Sequence, residues 1–294
     1  MADAGAVAEF AAAKINLWLH VTGKRADGYH LLDSLIAFAG IGDRLHFDKA
    51  DDIRLAIDGP FGAGLGASND NLVIKAAWLL ASEAGMRPAA AIRLEKNLPV
   101  ASGIGGGSAD AAAALRGLAR LWKLSVPAED LARIALRLGA DVPMCLAGEA
   151  AFAAGIGEEL SPVGKLAPSW LVLVNPRFSL STPEVFRKRT GGYTGIPRPA
   201  PGALATADGL ASALSARRND LEAPAVRLAP VIGRVLATLK RSPASRFAAM
   251  SGSGATCFAL FDGEDDARAT AAALMEAEPD WWIAPAPLLA QTPG

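Results

Sequence analysis

Residues 98–114, LPVASGIGGGSADAAAA, place four glycines in five positions directly against an alanine-rich run. Glycine costs about 1 kcal/mol relative to alanine inside regular structure, so such a cluster interrupts any helix or strand that meets it. The segment upstream, AAIRLEK, has strand character, and Ser108 to Leu121 has the composition of a helix. The chain is thereby committed to a strand, a glycine turn and a helix in succession. Successive glycines let several backbone N–H groups turn inward as a nest, and the following helix adds its own unpaired N–H groups and about half a positive charge. An oligophosphate suits such a nest. A glycine turn that serves only compact packing is the alternative this segment alone leaves open.

Two common phosphate loops do not fit. No lysine follows the glycines, so G-x-x-x-x-G-K-[ST] fails, and Ser108 stands where G-x-G-x-x-G needs its third glycine after Gly103 and Gly105.

A length of 294 residues favours two compact units, and the pattern restarts near residue 155, dividing 1–155 from 156–294. In the first unit KINLWLHV alternates, with Ile15, Leu17, Leu19 and Val21 on one face and Lys14, Asn16, Trp18 and His20 on a polar one. LLDSLIAFAG, RLHFD and DIRLAID follow the Asp27-Gly28 turn signal as further strands of an antiparallel sheet. Asn71 to Ala84 is helical, with Asp70 or Asn71 as its cap, and Pro127 opens a helix that stops at Gly139. In the second unit AAFAAG and EELSPV form a hairpin and WLVLVNP a buried strand, while Thr182 caps a helix with Pro183 and Glu184 in its first turn. Residues 190–209 read as a long surface loop, and RFAAM, the turn SGSG and TCFALF precede a last helix. The fold class is α+β, a sandwich in each half, with APAPLLAQ returning to pack on the first unit.

A formal net charge of -1 with 20% charged residues argues against nucleic acid as a partner through bulk charge. No window reaches the about 18 apolar residues needed to span a bilayer. The N-terminal MADAGAVAEF lacks a basic leader pattern, and Cys145 and Cys257 read as separate buried thiols in a reducing compartment. His20 and His46 sit in strand patterns without metal-ligand spacing and are assigned to structure. The reading is a cytoplasmic enzyme with a small-molecule substrate, no membrane partner, and a monomeric or weakly dimeric state.

The glycine segment resembles the phosphate-binding motif of the GHMP kinases, P-x-x-x-G-[LI]-G-[SG]-[SG]-[SA]. AKINLWLHVTGKRADGYHLLDSL near the start and MSGSGATCFALF near the end are similar to the family's other two motifs, with LGADVP and RNDLE between them. Within the family, K-x-N together with K-R-x-D-G-Y-H resembles the branch whose acceptor is a cytidine diphosphate-linked methylerythritol. The resemblance implies the two-domain GHMP kinase fold: an N-terminal unit like domain 2 of ribosomal protein S5 and a C-terminal ferredoxin-like α/β sandwich. It implies transfer of a phosphoryl group from ATP, with Mg²⁺, to the 2-hydroxyl of that acceptor, in the non-mevalonate route to isoprenoid precursors.

The residues follow from the same resemblance. Pro99, Val100, Ala101 and Ser102 lead into Gly103, Ile104, Gly105, Gly106, Gly107, Ser108 and Ala109 as the triphosphate cradle, with the Ser108 hydroxyl near phosphate or Mg²⁺. Ala101 and Ser102 depart from the family's preference for glycine there. Asn71 falls near the adenine. Asp141 is the general base, and Lys14 stands beside it to stabilise charge in transfer. Tyr29 stacks on the cytosine, His30 reads its polar edge, and Phe186, with Thr182 four residues before it, closes the other side; Asn16 shares the polar face of Lys14. The SGSG turn, residues 251–254, turns further N–H groups toward the site or is a tight hairpin. Bland readings stand beside these: a turn-capping Asp141, a solvated Lys14, packing aromatics, and a helix-capping Asn71. Two rivals remain for the whole chain. A kinase of the same family acting on homoserine or mevalonate has no use for the K-R-x-D-G-Y-H loop, and a noncatalytic nucleotide-binding protein has no need of both Lys14 and Asp141.

Overall fold

A computed structural model describes residues 7–293 apart from 67 and 69; the first six residues of the N-terminal segment read above lie outside the described residues. Two long strands, β1 (Val7–Lys24) and β2 (His30–Asp48), form an antiparallel pair along their whole length. The turn between them closes through Arg25 N–H to the Tyr29 carbonyl at 2.7 Å, with Gly28 at φ +95° in the left-handed region that glycine tolerates. β3 (Ile53–Asp58) and β4 (Ala90–Glu95) extend this sheet beyond β2; β3 runs parallel to β4, so the sheet is mixed rather than purely antiparallel. The hairpin of β5 (Ala151–Ala154) and β6 (Glu159–Pro162) pairs with the start of β2. Helices α1 (Leu72–Glu83), α2 (Gly106–Leu121), α3 (Ala128–Leu138) and α4 (Val142–Ala147) belong to this half and share one buried cluster with Phe38, Phe47 and Leu80. Alanine dominates the buried face of α2 because the helix lies close against the sheet: a Cβ on Gly117 would fall 2.2 Å from the Phe47 ring.

The second half carries β7 (Trp170–Asn175), α5 (Thr182–Arg187), α6 (Ala207–Ser215), α7 (Glu222–Leu228), α8 (Val231–Arg241), β8 (Phe247–Met250), β9 (Cys257–Phe261), α9 (Glu264–Ala277) and β10 (Trp282–Leu289). The β7–β9–β8 ladder is antiparallel, and β10 pairs with β7 along its length and with β2 through Leu288 and Leu289. One ten-stranded sheet therefore runs through both halves, with the APAPLL segment as its seam.

The β5–β6 hairpin, expected in the second unit, joins the sheet of the first half through β2 instead, and three further expectations change. β1 carries a register shift between Asn16 and Trp18, and a bulge moves the following side chains to the opposite face. Leu17 and Trp18 consequently join one buried cluster while Leu19 and Val21 join another, so the simple four-against-four alternation does not hold. Ser181, not Thr182, precedes the first turn of α5 as its cap residue. Residues 190–206 lack regular structure but are tied down: Thr194 N–H donates to the Val21 carbonyl at 2.9 Å and Leu204 is buried. Among the described residues no helix is long and apolar enough to cross a membrane.

Candidate active site

A cleft of about 1020 Å³ is lined at one end by the glycine segment and at the other by the β1–β2 turn, with α5 on its wall. Lys14 and Asn16 reach it from β1, on the side opposite Ile15 and Leu17. Lys14 Nζ lies 3.0 Å from Asp141 Oδ2 and donates to Asn16 Oδ1 at 3.1 Å. Asn16 is held in turn by donation to Ser34 Oγ at 2.8 Å and by its own N–H on Ser251 Oγ at 3.1 Å. The ammonium is almost fully buried, whereas the Asp141 side chain is 45% exposed and open to the cleft. Asp141 is the residue preceding α4, a helix absent from the sequence reading, yet its carboxylate makes no capping hydrogen bond to that helix. It is thus free to face Lys14 and a ligand.

The glycine segment bends as a nest requires. Gly103 and Gly105 adopt φ +76° and +65°, and Ala101 takes φ +50°, a non-glycine residue in the left-handed region. Gly105 begins α2 without a side-chain cap, and the first helical hydrogen bond runs from Ala109 N–H to the Gly105 carbonyl. The N–H groups of Gly106, Gly107 and Ser108 are left for a ligand. The turn at residues 251–254 packs against this loop: Ser251 Oγ donates to the Gly103 carbonyl at 3.0 Å, and Thr256 N–H donates to the Ser102 carbonyl at 3.0 Å. Asn219 braces the turn from behind, donating to the Met250 and Gly252 carbonyls at 2.8 and 2.7 Å. Pro99, Val100, Ala101, Ser102, Gly103, Gly105, Gly106, Gly107 and Ser108 all line the cleft; Ile104 and Ala109 do not, because both side chains are buried in the core. Asn71 lines the cleft and also caps α1, accepting from Val73 N–H at 2.9 Å.

Beneath the loop is a buried charge cluster that sequence reasoning missed. Lys96, at the end of β4, pairs with Asp43 and with Asp110 Oδ2, the latter at 2.7 Å. Asp43 Oδ1 accepts from the N–H groups of Asn97 and Leu98 at 2.6 and 2.8 Å, while Asp110 Oδ1 is buried and finds no partner among the described residues. Burial pushes the Asp110 carboxyl up to about 8, against the opposing pull of Lys96. A single acid inside the alanine run of α2 was the signal available for it.

At the other end of the cleft, His30 and Phe186 stack with ring centroids 5.0 Å apart, so Phe186 is joined to the β1–β2 turn. Tyr29 is 60% exposed at the rim. Burial, then the charges of Lys24 and Arg189, hold the His30 imidazole below its ordinary pKa, which favours a neutral ring able to donate and accept. Thr182 Oγ1 lies 2.7 Å from Ser253 Oγ, linking α5 to the 251–254 turn. Burial raises both thiols, Cys145 to about 12, as structural cysteines. His20 is fully buried, and His46 makes no part of the cleft wall.

Among family models, "GHMP kinases N terminal domain" matches residues 71–149 and "GHMP kinases C terminal" matches residues 202–279. The chain is 56% identical over 280 residues to the 4-diphosphocytidyl-2-C-methyl-D-erythritol kinase of Paramagnetospirillum magneticum, covering 95% of this chain and 97% of that protein. A crystal structure of 4-(cytidine 5'-diphospho)-2C-methyl-D-erythritol kinase superposes with a TM-score of 0.79 at 36% identity, over 96% of this chain and 99% of the other. The homoserine kinase of Cytophaga hutchinsonii shares the fold, with a TM-score of 0.73 at 16% identity over 99% and 97% of the two chains.

Proposed function

The chain belongs to the 4-diphosphocytidyl-2-C-methyl-D-erythritol kinases of the GHMP kinase family, and we propose from that membership how its own residues carry the reaction. The activity is phosphorylation of the acceptor's 2-hydroxyl by ATP in the non-mevalonate isoprenoid pathway. Asp141 takes the hydroxyl proton as general base, and Lys14 faces both that carboxylate and the phosphoryl group in transit. The observation that carries this reading is the 3.0 Å pair of a buried ammonium and an open carboxylate at the mouth of the glycine loop. The N–H groups of Gly106, Gly107 and Ser108 hold the phosphates of ATP, and Tyr29 with Phe186 encloses the cytosine while His30 reads its edge.

Among the described residues no group of three His, Cys, Asp or Glu side chains is placed to hold a metal ion by itself. The Ser108 hydroxyl beside the phosphate nest fits Mg²⁺ carried by the nucleotide, since Mg²⁺ is commonly bound through substrate phosphates and few protein ligands. The Ser108 hydroxyl, in the cleft wall, is the protein group best suited to share it. When bound, the ion neutralises charge on the phosphate oxygens.

Asp141→Asn and Lys14→Ala should each lower kcat by about 10²–10⁴-fold, the span of one lost acid–base or electrostatic group, with ATP still bound. ADP release with the diphosphocytidyl acceptor and equilibrium binding of an ATP analogue are the measurements. Near-normal turnover in either variant refutes these roles, and preference for homoserine or mevalonate refutes the acceptor assignment.

A further inference from the structure

The parts of the reaction sit on separate elements: α2 begins in the phosphate loop, β1 bears Lys14, and Asp141 leads into α4. One side chain, that of Arg116 on α2, reaches both of the others. Its Nε donates to Glu9 Oε2 at 2.9 Å and its Nη2 to the Phe10 carbonyl at 3.3 Å, both in β1. Its Nη1 donates to the Cys145 carbonyl of α4 at 3.1 Å. Cys145 N–H donates in turn to the Asp141 carbonyl at 3.2 Å, so a single residue stands between the guanidinium and the backbone of Asp141.

The contact matters because little else fixes α4 along its axis. This helix spans only six residues and has no side-chain cap at its start. Val142 and Met144 are buried in the same cluster as Ala111, Ala112, Ala113 and Ala114 of α2. Alanine makes shallow ridges and apolar attraction is non-directional, so such packing holds α4 against α2 without fixing how far it slides. A hydrogen bond from a planar guanidinium fork does fix it. Among the described residues this is the only side-chain hydrogen bond that α4 receives. The Cys145 carbonyl is also one of the last four of the helix, which lack intrahelical donors and favour a cation. Arg120 supplies an internal comparison. It pairs with the same buried Glu9 carboxylate, but its hydrogen bonds among the described residues all end on β1, at Glu9 and the Ala8 carbonyl.

We propose, resting on the reading of Asp141 as the general base, that Arg116 is a positioning residue that holds this base in register with Lys14 and the phosphate loop. Lys14 is fixed to β1 and the nest to α2, so the guanidinium sets where Asp141 meets the ammonium in the 3.0 Å pair. Without it α4 shifts, while the nest and the cytidine end, which Arg116 does not touch, keep their shape. The cost falls on kcat rather than on either KM, and a displacement of about 1 Å in a reacting group is worth up to about a hundredfold.

The experiment compares Arg116→Met, Arg120→Met, Asp141→Asn and the Arg116→Met/Asp141→Asn pair by steady-state kinetics, with single-turnover rates for the slow variants. Arg116→Met should lower kcat about tenfold to a hundredfold and leave the ATP and acceptor KM values within about twofold. Arg120→Met, which takes a cation from the same carboxylate without touching α4, should keep kcat within about twofold. In the Asp141→Asn background, Arg116→Met should cost no more than about a further twofold, because only a working base can be misplaced. Arg116→Lys keeps a cation for Glu9, but one ammonium cannot span Glu9, Phe10 and Cys145 as the fork does. It should show the same loss, and it takes the place of Arg116→Met in every comparison if the methionine variant does not fold. An unchanged kcat, equal losses in the Arg116 and Arg120 variants, or the full further loss in the Asp141→Asn background overturns the positioning role. Near-normal turnover in Asp141→Asn overturns instead the assignment of the base, and the proposal with it.

Discussion

Replacing Gly103 by alanine tests how the phosphate loop is held, because the structure fixes both parts of the cost. At φ +76° a side chain costs about 1–2 kcal/mol in the left-handed region. A Cβ there would lie 2.6 Å from the Ser251 carbonyl oxygen and 2.7 Å from the backbone N and O of Gly254. These are main-chain atoms of a turn braced by Asn219, so they cannot swing aside as a side-chain tip would, and overpacking adds about 1–3 kcal/mol. The total is about 2–5 kcal/mol; at about 2–4 °C per kcal/mol, the Tm falls on the order of 10 °C. Relief of the clash moves the loop away from Ser251 and distorts the nest, so the ATP KM rises by about tenfold or more, equivalent to about 1.4 kcal/mol. Gly107→Ala is the comparison: its Cβ would meet only Leu72 Cδ1, at 3.8 Å, inside a helix, so its Tm should hold or rise. Scanning calorimetry and steady-state kinetics with ATP varied give both numbers. If Gly103→Ala melts within about 2 °C of the unaltered chain and keeps its ATP KM, the packing of the loop on the 251–254 turn is not what holds it.

Tyr29→Ala should raise the acceptor KM about tenfold or more while leaving the ATP KM nearly unchanged, since base stacking contributes about 1–3 kcal/mol; equal effects on both substrates would rule out the stacking role. Asp110→Asn should stabilise the chain in a pH-dependent way. With a folded pKa of about 8 against an ordinary 3.8, the folded state retains a proton that the unfolded state releases, so stability falls as pH rises through that window and levels off above it. The Tm gain of the variant should be smallest near pH 5 and largest near pH 8, and a gain independent of pH would contradict a buried, protonated Asp110.

The phosphate loop was legible because glycine torsions and helix N-termini are local properties, and Gly103, Gly105 and the start of α2 behave as the segment requires. Lys14 and Asn16 were legible as the polar face of a strand, but that face is buried, and the bulge after Asn16 reverses the side on which Leu19 and Val21 lie. A bulge is set by pairing with β2, which no single-strand pattern reports. Asp141 is legible as a loop acid, while α4 after it is not: six residues beginning Val142-Pro143 are too few to show a helical period. The Asp43, Lys96 and Asp110 cluster depends on residues from β2, β4 and α2 meeting in space, and its only local trace was one aspartate among alanines. The SGSG turn and the RNDLE segment are recognisable in the sequence, but the bracing contacts of Ser34, Ser251 and Asn219 are hidden for the same reason, being polar groups that serve other residues rather than a ligand.

The position of β10 in the sheet bears on how the chain is made. Every residue of β2, β7 and the helices that cover them precedes Trp282 in sequence, yet the strand that joins β2 to β7 is Trp282–Leu289. During synthesis both halves can collapse while their shared edge is still bare, and that edge is open to pairing with another nascent chain. Closure waits for a contact of very long sequence separation, the slow kind. Ribosome stalling or chaperone retention before residue 289 would therefore leave the two halves joined only by their shared core and loop contacts, with the facing edges of β2 and β7 unpaired.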